Sequence, residues 1–135
     1  DTEHALFVIA NLFLSGGIQD RANTLTNSSR VNLAKLYLRA GTKAIEAAMY
    51  ETAAGYLNAG IRLLPTSSRW TCHYELTLNL FSTAAQAEYC AGDFDAMQIH
   101  CNEVIGQKNC PLLEKQRVYH VMLDSIAARE TTEKA

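Results

Sequence analysis

The chain of 135 residues has no marked excess of charge and no long apolar run. It carries 12 basic and 14 acidic residues and a net charge of −2, and acidic residues lie between the basic ones. A surface that attracts nucleic acid or an anionic membrane would need a basic excess. The longest uninterrupted apolar run, residues 5–10, covers six residues, whereas a membrane-spanning helix needs about 20. We therefore expect neither a nucleic-acid partner nor a membrane partner.

Motifs that carry catalysis or bind metals are also missing. The sequence contains no Cys-x2-Cys spacing, no His-Glu-x2-His spacing and no Gly-x4-Gly-Lys-[Ser/Thr] phosphate loop. The adjacent pairs Cys72–His73 and His100–Cys101 do not replace them, because neighbouring side chains of a helix point about 100° apart. A Cys–His nucleophile would also need an oxyanion loop, which the sequence does not offer. We predict no catalytic residue, no metal ligand and no cofactor, and we interpret both histidines as partly exposed helix residues.

The low contents of cysteine and of charged residues suggest the cellular location and the domain setting of the protein. The four cysteines are too few for a disulfide scaffold, and Cys90 and Cys101 fall within helical patterns, where cysteine behaves as a small hydrophobe. We predict reduced thiols and a cytoplasmic location. The first residue is Asp and no signal-peptide pattern is present, so we expect residues 1–135 to be one domain of a longer protein. A charged fraction of only 19% suggests that neighbouring domains cover part of the surface.

Apolar residues recur at helical spacing throughout the chain, and no segment shows the alternation of a strand. The fold class predicted from this pattern is all-α, with antiparallel helices joined by short turns. The helix around residues 70–89 is apolar on most sides, which places it in the middle of the domain. The predicted helices cover residues 2–14, 31–49, 51–64, 70–89, 94–105 and 112–128.

Small residues and a proline follow the spacing of a known helical repeat. The positions are Tyr37, Ala40, Gly41, Ala44, Ala53, Leu57, Gly60 and Pro65. This pattern resembles a tetratricopeptide repeat, a helix–turn–helix unit of about 34 residues. A second unit is offset by 44 residues and has larger side chains at the close-approach positions; it comprises Phe81, Ala84, Ala85, Met97, Cys101 and Val104. The resemblance implies a degenerate, right-handed superhelical array of about six helices.

Two long strings resemble one family more closely. They are LAKLYLRAGTKAIEAAMYETAAGYLNAGIRLLP (residues 33–65) and YELTLNLFSTAAQAEYCAGDFDAM (residues 74–97). Both look like the helical region of very large multidomain signalling ATPases, and the similarity covers roughly residues 6–126. In that family a serine/threonine kinase domain and an AAA-type ATPase precede the helical region, and GAF and histidine-kinase domains often follow it. The resemblance implies a non-catalytic module attached to a signalling ATPase or kinase.

Superhelical arrays bind partners along a concave surface that is lined by the first helix of each repeat. We therefore predict a module that mediates protein–protein or interdomain contacts. Two alternatives stay open: a small all-α enzyme or ligand-binding bundle with a pocket between helices, and a purely structural spacer. Exposed apolar side chains on the terminal helices would also allow a homo-oligomer. The residues predicted to face outward on the concave surface are Lys35, Leu38, Thr42, Asn79, Ser82, Gln86 and Tyr89.

Five further residues are predicted to shape the helices. Gly41 and Gly60 would let two helices approach closely, and Pro65 would end a helix. Gly92 can adopt the left-handed conformation after a helix, and Asp93 can cap the next one.

Glu88 occupies a position of the repeat pattern that normally holds an inward-facing aromatic residue, although a glutamate is more often exposed on the surface of a helix. An unpaired carboxylate inside a protein is costly, so it must find a cation or several hydrogen-bond donors. We predict that Glu88 is at least half buried and bonded to Lys43 or to backbone N–H groups at a helix start.

Overall fold

The computed structural model describes residues 27–134, and they form an array of helices with no strand among them. This confirms the all-α prediction for that part of the chain. The predicted helix over residues 2–14 lies outside the described residues. The elements are α1 (Asn27–Glu46), α2 (Tyr50–Leu63), α3 (Arg69–Cys72), α4 (Tyr74–Ala91), α5 (Phe94–Ile105), the 3-10 turn η1 (Leu112–Lys115) and α6 (Gln116–Lys134).

The long helices pack in two layers. We call α1, α4 and α6 the first layer, because α4 contacts both of the others and the three helices line common grooves. Helices α2 and α5 form the other: α2 packs on α1 and α4, and α5 packs on α4 and α6. The central position of α4 agrees with its apolar sequence.

Two glycines without side chains let neighbouring helices approach closely, as the pattern of small residues in the sequence predicts. A Cβ atom added to Gly41 of α1 would lie 2.5 Å from Leu57 Cγ of α2. A Cβ added to Gly60 of α2 would lie 2.9 Å from Leu80 Cδ2 of α4. Both leucines are fully buried. The two glycines therefore sit at the α1–α2 and α2–α4 contacts, as predicted.

Two helices end in the same turn, although only one of them carries a glycine there. After α4, Gly92 has φ +84°, its N–H donates to Tyr89 O, and Asp93 N–H donates to Glu88 O. After α1, Ala48 has φ +60°, its N–H donates to Ile45 O, and the next N–H donates to Ala44 O. Both are Schellman turns.

The predicted roles of Asp93, at the start of α5, and of Pro65, after the end of α2, agree with the structure. The Asp93 side chain accepts a hydrogen bond from Ala96 N–H at 3.2 Å and so caps α5. Helix α2 ends at Leu63, Leu64 is extended, and Pro65 follows. Helix α1 stops at Glu46, three residues before its predicted end, because of the left-handed turn at Ala48.

Exchanging glycine and alanine at the two left-handed positions should shift stability in opposite directions. Ala48→Gly should raise the free energy of unfolding by about 1 kcal/mol, because it relieves the left-handed strain of an exposed residue. Gly92→Ala should lower it by a similar amount through strain alone, since the added Cβ would meet no atom within 4 Å. Urea unfolding of both variants checks this. Two changes of the same sign would contradict it.

The predicted helix 70–89 is interrupted at His73, which has φ −133° and ψ +49°. The Thr77 side chain bridges the break: its Oγ1 donates to His73 O at 2.7 Å and lies 2.8 Å from Arg69 O. The same two carbonyl groups also accept backbone hydrogen bonds, from Thr77 N–H and His73 N–H, so the hydroxyl group adds a second donor at the junction of α3 and α4. Trp70 Nε1 also donates to Glu103 Oε2 of α5 at 2.8 Å, which links α3 to α5.

The last predicted helix, residues 112–128, differs at both ends. Its first four residues form the 3-10 turn η1, and α6 continues to Lys134, six residues beyond the predicted end. The Arg129 guanidinium lies 4.9 Å from the centre of the Phe94 ring of α5 and helps to hold the extended end.

Candidate protein-binding groove

Two grooves run between the helices of the first layer. The first groove, of about 380 Å³, lies between α1 and α4, and its lining includes Leu38, Thr42, Asn79 and Gln86. The second groove, of about 670 Å³, lies between α4 and α6, and its lining includes Ser82, Gln86 and Tyr89. Six of the seven residues predicted for the concave surface therefore line these two grooves. Lys35, the seventh, is exposed on α1 and lines neither groove.

Helical spacing explains why these residues share a surface. Leu38 and Thr42 are four residues apart on α1, and Asn79, Ser82 and Gln86 recur every three or four residues on α4. Thr42, Asn79 and Gln86 are exposed. Ser82 was predicted to face outward, but only 2% of it is exposed, because α6 packs beside α4 there.

Arg117 of α6 joins the two grooves, and sequence reasoning missed it. Its Nη2 donates to Thr83 Oγ1 and to Gln86 Oε1, both at 3.2 Å. Burial lowers the pKa of the Arg117 guanidinium, but an arginine this basic stays charged at neutral pH. The spacing of residues in the sequence could have identified Arg117. It belongs to a set that recurs at helical spacing and lines the second groove, namely Leu113, Arg117, His120 and Asp124.

A patch of exposed apolar side chains adjoins the second groove. The exposed fractions are 74% for Leu112, 82% for Leu113, 63% for Leu123 and 37% for Tyr119. These four residues line a shallow depression of about 510 Å³ together with Gln116 and His120. Leu113, Gln116 and His120 also line the second groove, so groove and patch form one continuous surface.

Glu88 is buried, as predicted, but its partners differ from the predicted ones. Only 2% of the residue is exposed. His100 Nδ1 of α5 lies 2.6 Å from Glu88 Oε1, and Asn58 Nδ2 of α2 donates to Oε2 at 3.0 Å. Lys43 Nζ instead lies 3.4 Å from Glu46 Oε2, and 41% of the Lys43 side chain is exposed. The prediction that Lys43 pairs with Glu88 was wrong, because α2 lies against α4 and supplies Asn58.

His100 is partly exposed, as predicted, but it is not an ordinary surface histidine. Its side chain is 12% exposed, and its ring packs edge-to-face with the Phe81 ring, with 5.4 Å between the ring centroids. The Glu88–His100–Asn58 cluster thus joins α4 of the first layer to α2 and α5 of the other layer.

The four cysteines are free thiols, as predicted. Cys72 and Cys90 are exposed, and Cys90 lines the second groove. Cys101 is buried; desolvation, with a smaller contribution from nearby Glu88, raises the pKa of its thiol to about 11. This thiol is therefore protonated at neutral pH and is a poor nucleophile.

The described part of the chain offers little for metal chemistry. Among residues 27–134, no three His, Cys, Asp or Glu side chains are placed to hold a metal ion together. Within the same range, no helix has the length and the apolar character that a membrane span requires.

Comparisons with protein-family models, with curated proteins and with solved structures give no match to this chain. The geometry of the two grooves is therefore the main basis for a functional assignment.

Proposed function

We propose that the chain is a non-catalytic, tetratricopeptide-like module that binds a segment of another protein, or of a neighbouring domain, along the grooves of its first layer. The observation that supports this most is the convergence of Leu38, Thr42, Asn79, Ser82, Gln86 and Tyr89 on two adjoining grooves. These residues were selected from repeat spacing alone, as positions that face outward from the first helix of each unit.

The lining suits an extended polypeptide. It combines apolar contacts from Leu38, Leu78 and Val121 with amide and hydroxyl groups such as those of Asn79 and Thr42. Amide side chains can donate and accept hydrogen bonds to a peptide backbone, while the apolar residues receive its side chains. The two grooves meet at Gln86 and Arg117, so one segment can cross both.

The wider setting follows the sequence resemblance. We propose that the module belongs to a cytoplasmic signalling ATPase or kinase, where it couples domains or recruits a partner. Self-association through exposed apolar side chains, such as those of η1 and α6, is the alternative to a separate partner, and sedimentation of the chain distinguishes the two.

A peptide selection tests the binding function. We expect a random dodecapeptide library, displayed on phage, to yield peptides that bind the chain with micromolar affinity. Asn79→Arg should weaken the binding of these peptides at least about tenfold, because it places a long side chain in the first groove. Asn102→Arg is the matched control: Asn102 is exposed on α5, in the other layer, and the same substitution there should leave affinity unchanged. A selection that enriches no peptide, or equal losses in the two variants, would reject the proposal.

A further inference from the structure

The second groove carries more acidic than basic charge. Glu114 and Asp124 line it, and Arg117 is its one basic residue apart from His120. The Arg117 guanidinium is already hydrogen-bonded to Thr83 and Gln86. Two carboxylates against one guanidinium leave the groove with an excess of acidic side chains.

The two carboxylates keep capacity for a cation. The Asp124 side chain is exposed and makes no hydrogen bond or ion pair within residues 27–134. Glu114 is exposed and accepts one hydrogen bond from Tyr74 Oη, which leaves further acceptor sites on its two oxygens. A Lys or Arg side chain brought to this groove would find acceptors of opposite charge.

The apolar patch begins where the acidic groove ends. Leu113 lines both, and Leu112 and Leu123 extend the patch with 74% and 63% of their surfaces exposed. Contiguous apolar surface of this kind, next to polar groups, marks interaction sites on soluble proteins.

We propose that the second groove and the patch together bind one polypeptide segment that combines a Lys or Arg side chain with bulky apolar side chains. The cation lies at Asp124 and Glu114, and the apolar side chains cover Leu112, Leu113 and Leu123. This inference rests on the proposed function and adds the chemistry of the partner. An acidic segment is disfavoured, because it would bring like charges to the two carboxylates.

A second copy of the chain suits this surface less well. Two patches packed face to face would bring the Asp124 and Glu114 carboxylates of both copies to one interface, where like charges repel. A separate basic and apolar segment avoids that repulsion.

The composition and charge dependence of the selected peptides test the inference. At pH 8 and low salt, we expect the enriched dodecapeptides to contain Lys or Arg together with Leu, Ile or Phe. Asp124→Lys should weaken their binding at least about tenfold, and a new selection on that variant should favour Asp and Glu. The control Asp95→Lys changes an exposed aspartate of α5 outside the grooves and should leave affinity within about twofold.

The outcomes separate this inference from the proposed function. Peptides that are acidic or uncharged, or that bind Asp124→Lys as tightly as the parent, overturn the inference; if Asn79→Arg still abolishes their binding, the proposed function stands. If no peptide is enriched, both fail.

Sedimentation of the chain alone gives a further check. A dimer that Leu123→Asp dissociates would overturn the inference, because it would identify a second copy as the occupant of the patch.

Discussion

Replacing Glu88 by alanine should lower the free energy of unfolding by about 3 kcal/mol. The substitution removes the acceptor of both His100 Nδ1 and Asn58 Nδ2 at a largely buried position. It also leaves a cavity at a residue that is only 2% exposed. Chemical denaturation monitored by circular dichroism measures the change.

Two further variants show whether pairing or volume accounts for the loss. Glu88→Gln keeps the shape and one acceptor oxygen, so it should cost less than Glu88→Ala. Glu75→Ala removes an exposed carboxylate from the first turn of the same helix and should stay within about 0.5 kcal/mol of the parent. A Glu88→Ala protein as stable as the parent would show that the cluster does not hold α2, α4 and α5 together.

Gly41→Ala is the second substitution with a large expected effect, a loss of about 2 kcal/mol. The new Cβ would lie 2.5 Å from Leu57 Cγ and 2.7 Å from Leu57 Cδ2, in the buried contact between α1 and α2. Overpacking of this kind costs about 1–3 kcal/mol, and the better helix propensity of alanine offsets only part of it.

Gly55→Ala on α2 is the matched control for Gly41→Ala. Gly55 is exposed and a Cβ there would meet no atom within 4 Å. Alanine should therefore raise stability by up to about 1 kcal/mol through helix propensity alone. Thermal and urea unfolding of the two variants should show opposite signs. Stabilisation by both substitutions would mean that Gly41 does not mark a close helix contact.

The parts of the fold that depend on local signals could be predicted from the sequence. Gly41 and Gly60 mark close approach by their lack of a side chain, and Gly92 followed by Asp93 marks a turn by its backbone chemistry. Ala48 adopts the same left-handed turn without a glycine, so no local signal revealed it. The break at His73 carries no glycine or proline either, and the hydroxyl group that bridges it belongs to Thr77, four residues away.

The candidate site was predictable where it follows repeat spacing and not where it depends on contacts between distant residues. Leu38, Asn79 and Gln86 lie on helices whose outward faces the repeat pattern identifies. Arg117 belongs to α6, which was not counted as the first helix of a further unit. The pairing of Glu88 with His100 joins two helices across a turn, and only their packing angle brings the two side chains together.

The affinity of a selected peptide for protein labelled at Cys90 or at Cys72 tests the groove assignment most directly. Both cysteines are exposed, but only Cys90 lines the second groove, while Cys101 and Cys110 are buried. In Cys72→Ser protein, a bulky maleimide on Cys90 should weaken peptide binding at least about tenfold. In Cys90→Ser protein, the same label on Cys72 should leave affinity unchanged. Equal affinity of the two labelled proteins, measured by calorimetry, would contradict binding in the groove.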